Sequence, residues 1–331
     1  MENVEWLNGV WYSGEDSVMQ TPVISVIMLT YNREELVGRA IESIINQTFR
    51  DFEFIIVDNG STDQSGVIAD EYAAKDSRIL VIHRERGNIG SGRNTGLDAA
   101  TGEYIAFIDD DDWCEPDYLE FLYGLVAEYK ADVAICGATK WENGNSSPVG
   151  IADEPIVMNA ESTIIEMLWR RRYNNGFPTK LFRREAFDGI RFPENGRYDD
   201  VHIMYKILAN AEKIVSYGLP KYNVTRHDNN NSSATTKHGM ITAAYLDDYR
   251  KVYKTRADWL CERFPENAAY WRYFDWSFQI SMVEKIIRFT LPGCEIHLAE
   301  MRRELKEHRD EFLGCQYILD FEREWMKAYV E

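Results

Sequence analysis

The chain has 331 residues and a formal charge of −18, from 37 basic and 55 acidic side chains. This charge opposes binding along a polyphosphate backbone, so we expect no nucleic acid partner. With 45% hydrophobic and 13% aromatic residues, the composition is typical of a globular protein and excludes disorder for the bulk of the chain.

The five cysteines are scattered and show no C-x-x-C spacing, so neither a disulfide framework nor a zinc site is indicated. Residues 1–20 are acidic and lack the basic and apolar regions of a signal peptide, and we expect an N-terminal extension there. No apolar run reaches the ~18 residues of a membrane span. These features predict a cytoplasmic protein.

From Thr21 onward, short β-branched runs alternate with helical patterns. Residues 37–45 carry the apolar stripe of an amphipathic helix, for which Asn32 is a predicted N-cap. Strands buried on both faces and separated by such helices are typical of a parallel sheet. The sequence therefore predicts an α/β domain, Rossmann-like, with a mostly parallel sheet flanked by helices. The predicted strands are 23–29, 54–57, 79–83, 104–108 and 132–136.

Polar residues follow three of these strands. Thr30 and Tyr31 end the first, Asp58 ends the second, and the run Asp109 to Asp112 ends the fourth. Ligands of open α/β sheets bind at the carboxyl ends of the strands. Taken singly, Tyr31 suits the rim of the core and Asp58 suits a turn with the three residues that follow it. Together they indicate a binding site along one sheet edge.

The four consecutive carboxylates repel one another, and folding alone gives no reason to collect them. The Asp109-x-Asp111 spacing can bind a hard divalent cation and leave coordination sites for water and phosphate oxygens. The alternative is a solvated acidic loop in which Asp110 or Asp112 caps the next helix. A cap uses one carboxylate, so the run as a whole favours the cation site.

The glycine-rich segment 87–96 follows the third strand. It has the G-x-x-x-x-G spacing of a phosphate loop, but Arg93 and Asn94 stand where such a loop needs Lys and Ser or Thr. We therefore reject the phosphate loop and the dinucleotide fingerprint. A helix N-terminus with Arg93 in its first turns still suits anionic oxygens.

The character of the chain changes after about Tyr217, where a polar stretch leads into helices. Residues 246–260 and 273–287 carry aromatic and aliphatic stripes at helical spacing. Burial is the simpler interpretation, and peripheral contact with the inner face of the plasma membrane is the alternative. Earlier, Arg170 to Arg172 suit either an anionic acceptor or the solvated face of a helix that begins near Ser162.

Four segments carry a family resemblance: "PVISVIMLTYN", "FIIVDNGSTDQS", "GNIGSGRNTGLDAATGEYIAFIDDDDW" and "RYDDVHIMYKILANAEKI". In order and spacing they resemble the inverting family 2 glycosyltransferases, which have a GT-A fold. The resemblance implies a catalytic domain over 21–225 that binds a nucleotide-sugar, and a helical region over 226–331 on the acceptor side or at an oligomer interface. Two alternatives are a nucleotidyl or phosphoryl transferase and a non-catalytic sugar-nucleotide-binding protein.

The resemblance also implies partners and roles by position. The donor would be a UDP-sugar and the acceptor a glycan or lipid-linked sugar of bacterial surface polysaccharide or glycoprotein synthesis, with Mn²⁺ or Mg²⁺ on the diphosphate. Asp200 matches the catalytic base, and Asp199 occupies the neighbouring acidic position. The donor-binding residues implied are Thr30, Tyr31, Asp58, Arg93, Asp109, Asp110 and Arg226, and the metal ligands implied are Asp109, Asp111 and His227.

Overall fold

The computed structural model describes residues 4–7, 10–13, 21–195, 199–227 and 241–331. The chain forms two compact units. One consists of Met1–Asn195 and Lys206–Thr225, and the other of Gly196–Tyr205 and Arg226–Glu331.

The first unit is built on a ten-stranded sheet with the order β10-β12-β8-β11-β6-β3-β4-β5, in which β7 also pairs with β12 and β9 with β8. Within the described ranges, the strands β1 and β2 form a separate antiparallel pair. The strands are β1 Val4–Leu7, β2 Val10–Ser13, β3 Ile24–Thr30, β4 Phe52–Asp58, β5 Ile79–His83, β6 Tyr104–Asp109, β7 Trp113–Cys114, β8 Val133–Glu142, β9 Asn145–Val149, β10 Ile156–Met158, β11 Lys180–Arg183 and β12 Ile214–Arg226.

The four strands β6, β3, β4 and β5 are parallel neighbours. They correspond to the first four predicted strands. The interior residues of β6, β3 and β4 are almost fully buried, as expected for a sheet covered on both faces, whereas the edge strand β5 is partly exposed. The strand β11 lies antiparallel between β6 and β8 and extends the sheet. The predicted α/β architecture is confirmed, with an antiparallel extension that local periodicity does not indicate.

Helices cover the sheet and form most of the second unit. Helix α6 belongs to both, since its residues up to Tyr205 cluster with the second unit. The helices are α1 Val37–Ile45, α2 Ser65–Ala73, α3 Ile89–Ala99, α4 Tyr118–Tyr129, α5 Ala160–Trp169, α6 Asp199–Ala209, α7 Ala243–Arg263, α8 Ala268–Arg288, α9 Glu295–Glu307, α10 Arg309–Gly314 and α11 Asp320–Tyr329, with short 3₁₀ turns at Arg184–Phe187 and Pro265–Asn267.

The glycines of the 87–96 segment allow α3 to lie close to the sheet. A Cβ at Gly92 would come within 2.3 Å of the Leu29 side chain, and one at Gly96 within 2.5 Å of Ile27. Both glycines are one helical turn apart and face β3. They therefore serve helix-to-sheet packing, which agrees with rejecting a phosphate loop.

The aromatic stripes predicted for the C-terminal third lie on α7 and α8 and are largely buried within the second unit. Tyr249 and Tyr253 of α7 stack on Phe278 of α8, with ring centroids 5.7 and 4.0 Å apart. The burial interpretation is thus supported for these stripes. In the described residues, no helix has the length and apolarity that crossing a membrane requires.

Two local predictions are corrected by tertiary contacts. Helix α1 begins with Leu36 at its N-cap instead of Asn32, which has a φ of 50° and accepts a hydrogen bond at Oδ1 from the Thr62 backbone N–H (2.8 Å). Helix α5 ends at Trp169, so Arg170 to Arg172 follow the helix and do not line its face. Arg171 covers the Trp169 ring at 4.8 Å, and Arg172 pairs with Glu166 at 3.7 Å.

Candidate active site

The predicted polar residues lie along the carboxyl edge of the parallel strands. Thr30 of β3 lies opposite Asp58 of β4, and Asp58 lies opposite His83 of β5. On the other side of β3, Asp109 of β6 lies beside Leu29. Parallel strands end at the same edge, so four consecutive strands deliver these residues to one place. Thr30 is fully buried, and its backbone carbonyl accepts from the Asn59 N–H at 2.9 Å.

The Asp58 carboxylate is held by two hydrogen bonds. Its Oδ1 accepts from the Ser61 backbone N–H at 3.0 Å, and its Oδ2 lies 2.9 Å from Nδ1 of His83. Burial raises the pKa of Asp58, but the hydrogen bonds from Ser61 and His83 outweigh it and leave the pKa below its ordinary value. Asp58 therefore does organise the turn that follows it, and it also presents an ionised carboxylate at the sheet edge.

His83 is a site residue that sequence analysis missed. Its Nε2 lies 3.0 Å from Oδ1 of Asp70, so the imidazole bridges two carboxylates. The hydrogen bonds to Asp58 and then to Asp70 raise the pKa of His83 above its ordinary value. The signal was present in the sequence, because His83 ends the third parallel strand as Asp58 ends the second.

Arg86 is the second missed residue, and it fixes Tyr31. Its guanidinium lies 4.2 Å from the centroid of the Tyr31 ring and donates to the Tyr31 hydroxyl. A cation over an aromatic face restrains the ring by electrostatic attraction. Arg86 therefore holds the Tyr31 side chain in place at the end of β3. The two residues are 55 positions apart, so only the tertiary structure shows this contact.

Asp110 and Asp112 fix the backbone of the loop around them. Asp110 Oδ2 accepts from the Tyr31 N–H at 3.1 Å, and its Oδ1 lies 3.6 Å from Arg33. Asp112 Oδ1 accepts from the Thr225 N–H at 2.7 Å. Neither caps a helix, since the N-cap of α4 is Asp117. The simple capping explanation for the acidic run is therefore wrong.

Asp109 and Asp111 differ from their neighbours in exposure and contacts. Asp109 is the more accessible, with 44% of its side chain exposed, and its Oδ1 lies 3.3 Å from Arg93. Asp111 is 8% exposed, and its backbone carbonyl accepts from Arg39 at 2.7 Å. The Arg93 guanidinium also lies near three phenylalanine rings, at 5.1 Å from the closest, Phe177. Arg93 thus reaches the acidic run from α3, and its predicted contact with anionic oxygens of a ligand stays a prediction.

The acidic run retains excess negative charge despite these arginines. Burial, together with the charge of Asp111, raises the pKa of Asp110 to about 7. Burial and the charges of Asp109 and Asp111 raise the pKa of Asp112 well above its ordinary value. A divalent cation held by Asp109 and Asp111 would relieve this repulsion between neighbouring carboxylates.

Within the described ranges, no three histidine, cysteine, aspartate or glutamate side chains form a cation cage. Mg²⁺ is commonly held by one or two carboxylates and completed by water and substrate phosphates. Asp109 and Asp111 fit that mode of binding.

The remaining predicted residues belong to the second unit. Asp199 and Asp200 form the first turn of α6, and Asp200 Oδ1 accepts from the Val201 N–H at 2.8 Å. Arg226 ends β12, and His227 follows it. The roles assigned to Asp200, Arg226 and His227 stay predictions.

The sequence matches the family described as Glycosyl transferase family 2 over residues 25–191, which is 167 of the 331 residues. The chain belongs to this family. The match covers the parallel strands, the Asp58 turn, α3 and the acidic run described above. The predicted family is thereby confirmed.

Two curated relatives and one solved structure illustrate the similarity. The putative glycosyltransferase EpsH of Bacillus subtilis (strain 168) is 38% identical over 186 residues, covering 55% of this chain and 54% of EpsH. The poly(ribitol-phosphate) beta-glucosyltransferase of Bacillus spizizenii is 29% identical over 316 residues, covering 84% of this chain and 48% of that enzyme. The chain thus spans about half the length of these relatives.

The structure of S. aureus TarS 1-349 in complex with UDP-GlcNAc superposes with a TM-score of 0.64 at 23% sequence identity. The match covers 92% of this chain and 81% of that one. With the family match, this similarity confirms the predicted GT-A fold and its helical C-terminal region.

Proposed function

We propose that the chain transfers a sugar from a UDP-sugar to a hydroxyl group of a glycan or lipid-linked acceptor, with inversion at the anomeric carbon and a divalent cation as cofactor. The observation that carries this proposal is one sheet edge that holds both the Asp58 carboxylate and the pair Asp109 and Asp111. A nucleoside diphosphate needs both features, one for its base and one for its phosphates.

The donor assignment depends on Asp58 and Tyr31. An ionised Asp58 accepts a hydrogen bond from N3–H of uracil, while N3 of cytosine is itself an acceptor and would face it unfavourably. The Tyr31 ring, held by Arg86, supplies an apolar face on which a base can stack. The UDP-GlcNAc bound in the TarS structure supports a UDP-sugar for this chain.

Asp109 and Asp111 would hold Mn²⁺ or Mg²⁺, with Asp111 as a direct ligand. When bound, the cation would neutralise charge on the diphosphate leaving group. Arg93 lies 3.3 Å from Asp109, which supports a role in orienting that carboxylate, and it would also donate to phosphate oxygens. Because Asp110 already accepts from Tyr31 and contacts Arg33, we assign it to positioning Tyr31. Of the donor-binding residues expected in the acidic run, Asp109 would then be the one that contacts the donor.

Asp200 is the proposed general base. It would take the proton of the acceptor hydroxyl as that oxygen attacks the anomeric carbon, and a single in-line displacement inverts the configuration. Arg93 or Arg226 would stabilise the departing diphosphate.

The acceptor is proposed from chemistry and similarity together. The Bacillus spizizenii relative is named for transfer to poly(ribitol-phosphate), which supports a bacterial surface polymer as the acceptor class. Arg170 to Arg172 lie outside α5 and would suit an anionic acceptor.

The proposal is tested by incubating the purified chain and Mn²⁺ with a panel of nucleotide-sugars. We expect UDP release from at least one UDP-sugar, faster with acceptor, and no pyrophosphate. The anomeric configuration of the product, from the proton coupling constant in NMR, should be opposite to that of the donor. Release of pyrophosphate would instead indicate nucleotidyl transfer, and a retained configuration would exclude Asp200 as the base of a single displacement.

A further inference from the structure

His83 lies between two carboxylates at the end of β5. Its Nδ1 is 2.9 Å from Oδ2 of Asp58, and its Nε2 is 3.0 and 3.2 Å from the two carboxylate oxygens of Asp70. Asp58 ends β4, the strand beside β5, whereas Asp70 lies on α2, which packs against β5. The imidazole therefore links the carboxylate proposed to recognise the donor base to a neighbouring helix.

Both of these hydrogen bonds form together only when the ring is protonated. An ionised carboxylate accepts hydrogen bonds and donates none, so each ring nitrogen must carry a hydrogen to bond its partner. A neutral imidazole has a single N–H, and its other nitrogen would turn a lone pair toward a carboxylate. In agreement with this geometry, the hydrogen bonds to Asp58 and then to Asp70 raise the pKa of His83 above its ordinary value.

The charged groups that contact His83 are these two aspartates, one from β4 and one from α2. The basic residues that follow it along the chain contact other groups. Arg84 donates to Oγ of Ser91 at 3.0 Å, and Arg86 lies over the Tyr31 ring. Since 49% of the His83 side chain is exposed, the ring exchanges protons with water and titrates with the pH of the solution.

The Asp58 carboxylate is fixed at both oxygens. Oδ1 accepts from the Ser61 backbone N–H at 3.0 Å, and Oδ2 faces Nδ1 of His83. Two such bonds set the plane and the direction of the carboxylate, while each oxygen keeps a further lone pair for a ligand. Loss of the His83 bond would leave the carboxylate fixed at one oxygen and free to turn.

We propose that protonated His83 is a positioning residue for the donor base: it holds the Asp58 carboxylate in the direction that accepts from the base, and Asp70 keeps the second ring nitrogen bonded. This role presupposes the proposed function, in which Asp58 binds uracil. Below the ordinary histidine pKa of about 6.5, both bonds are present. As the pH rises through the raised pKa of His83, the two carboxylates compete for one N–H, so UDP affinity should fall.

The test is calorimetric titration with UDP and Mg²⁺ between about pH 6 and 9, on the wild type and on His83→Gln. Glutamine is polar but cannot be protonated in this range, and the Kd ratio of variant to wild type cancels the titration of the UDP phosphates. We expect a ratio of about five near pH 6, because a half-exposed charged contact is lost. The ratio should shrink as the pH rises.

Asp70→Asn distinguishes positioning from a general effect of charge. The asparagine amide can donate to Nε2, which leaves the ring hydrogen on Nδ1, facing Asp58, at every pH. The Kd ratio of His83→Gln to Asp70→Asn should therefore stay constant with pH. Glu71→Gln removes the same charge from an exposed, adjacent position of α2, and its ratio should shrink as that of the wild type does. The melting temperature of each variant checks that it is folded.

Reciprocity supplies a second measurement. If UDP binds more tightly when His83 is protonated, bound UDP must raise the pKa of His83. The ¹⁵N shifts of the ring nitrogens report this pKa, and the signal is assigned by its loss in His83→Gln. A Kd ratio that is constant with pH, or a pKa that UDP leaves unchanged or lowers, would overturn the role of His83 alone. Absence of UDP binding, or wild-type affinity in folded Asp58→Asn, would overturn the proposed donor site and this role with it.

Discussion

Replacing Gly66 by alanine should weaken UDP binding without unfolding the protein. Gly66 lies in the first turn of α2, against the Asp58–His83 pair. A Cβ there would come within 2.7 Å of Asp58 Oδ2 and 3.2 Å of His83 Cε1. Ordinary contacts begin at 3.4 Å, so the carboxylate oxygen must move by about 0.7 Å.

This displacement sets the size of the expected effect. A hydrogen bond of about 2.9 Å from the uracil N3–H to Asp58 that lengthens by this amount would exceed the roughly 3.2 Å limit for N–H···O contacts. Bonds to charged groups contribute about 1.5–3 kcal/mol, which converts to a rise in Kd of about 10- to 150-fold. Alanine itself favours the helix, so the melting temperature should change little.

Calorimetry with UDP and Mn²⁺ measures the change in Kd, and Gly124→Ala is the matched control. Gly124 lies within α4 and a Cβ there would meet no atom within 4 Å, so this variant should gain about 1 kcal/mol of stability and keep wild-type affinity. Asp58→Asn provides a second perturbation that adds no bulk. Wild-type affinity in both Gly66→Ala and Asp58→Asn, with both variants folded, would show that the base is not bound at Asp58.

Four further predictions test the site and the second unit. Asp111→Asn should abolish transfer while the protein stays folded, and EDTA should do the same until Mn²⁺ is restored; full activity in EDTA would contradict this. UDP should bind more tightly than CDP by ~1–3 kcal/mol, because cytosine places an acceptor opposite Asp58. Asp200→Asn should keep UDP affinity and lower the transfer rate by about 10²–10⁴-fold, whereas near wild-type transfer would direct the search for the base to Asp199. Finally, burial first, and then the charge of Glu304, raises the pKa of Asp275 from 3.8 to about 6. The folded state thus keeps this proton where the unfolded chain has lost it, so stability falls as pH rises from about 4 to 6. Asp275→Asn should therefore stabilise the protein by up to about 3 kcal/mol above pH 6 and by little near pH 4 in urea unfolding, and a gain independent of pH would refute the argument.

Some features of this protein follow from the sequence alone because they depend on local pattern. Apolar runs such as 104–108 form strands wherever both faces can be buried, and an apolar stripe at helical spacing, as in 273–287, forms a helix. The placement of Asp58 and Asp109 at one edge follows from the same pattern, since parallel strands end together. Motif order was enough to predict the family and its fold.

Tertiary structure decided which groups meet across long stretches of chain. Only folding reveals that Asp110 accepts from Tyr31, 79 positions away, and that Asp112 accepts from Thr225, 113 positions away. Tertiary structure also shows that the N-cap of α1 is Leu36 and not Asn32, because the Asn32 side chain accepts a hydrogen bond from the Thr62 backbone N–H. Hydrogen bonds and charge pairs of this kind depend on the distance between groups in space, which local periodicity does not encode, whereas strands and helices depend on spacing along the chain.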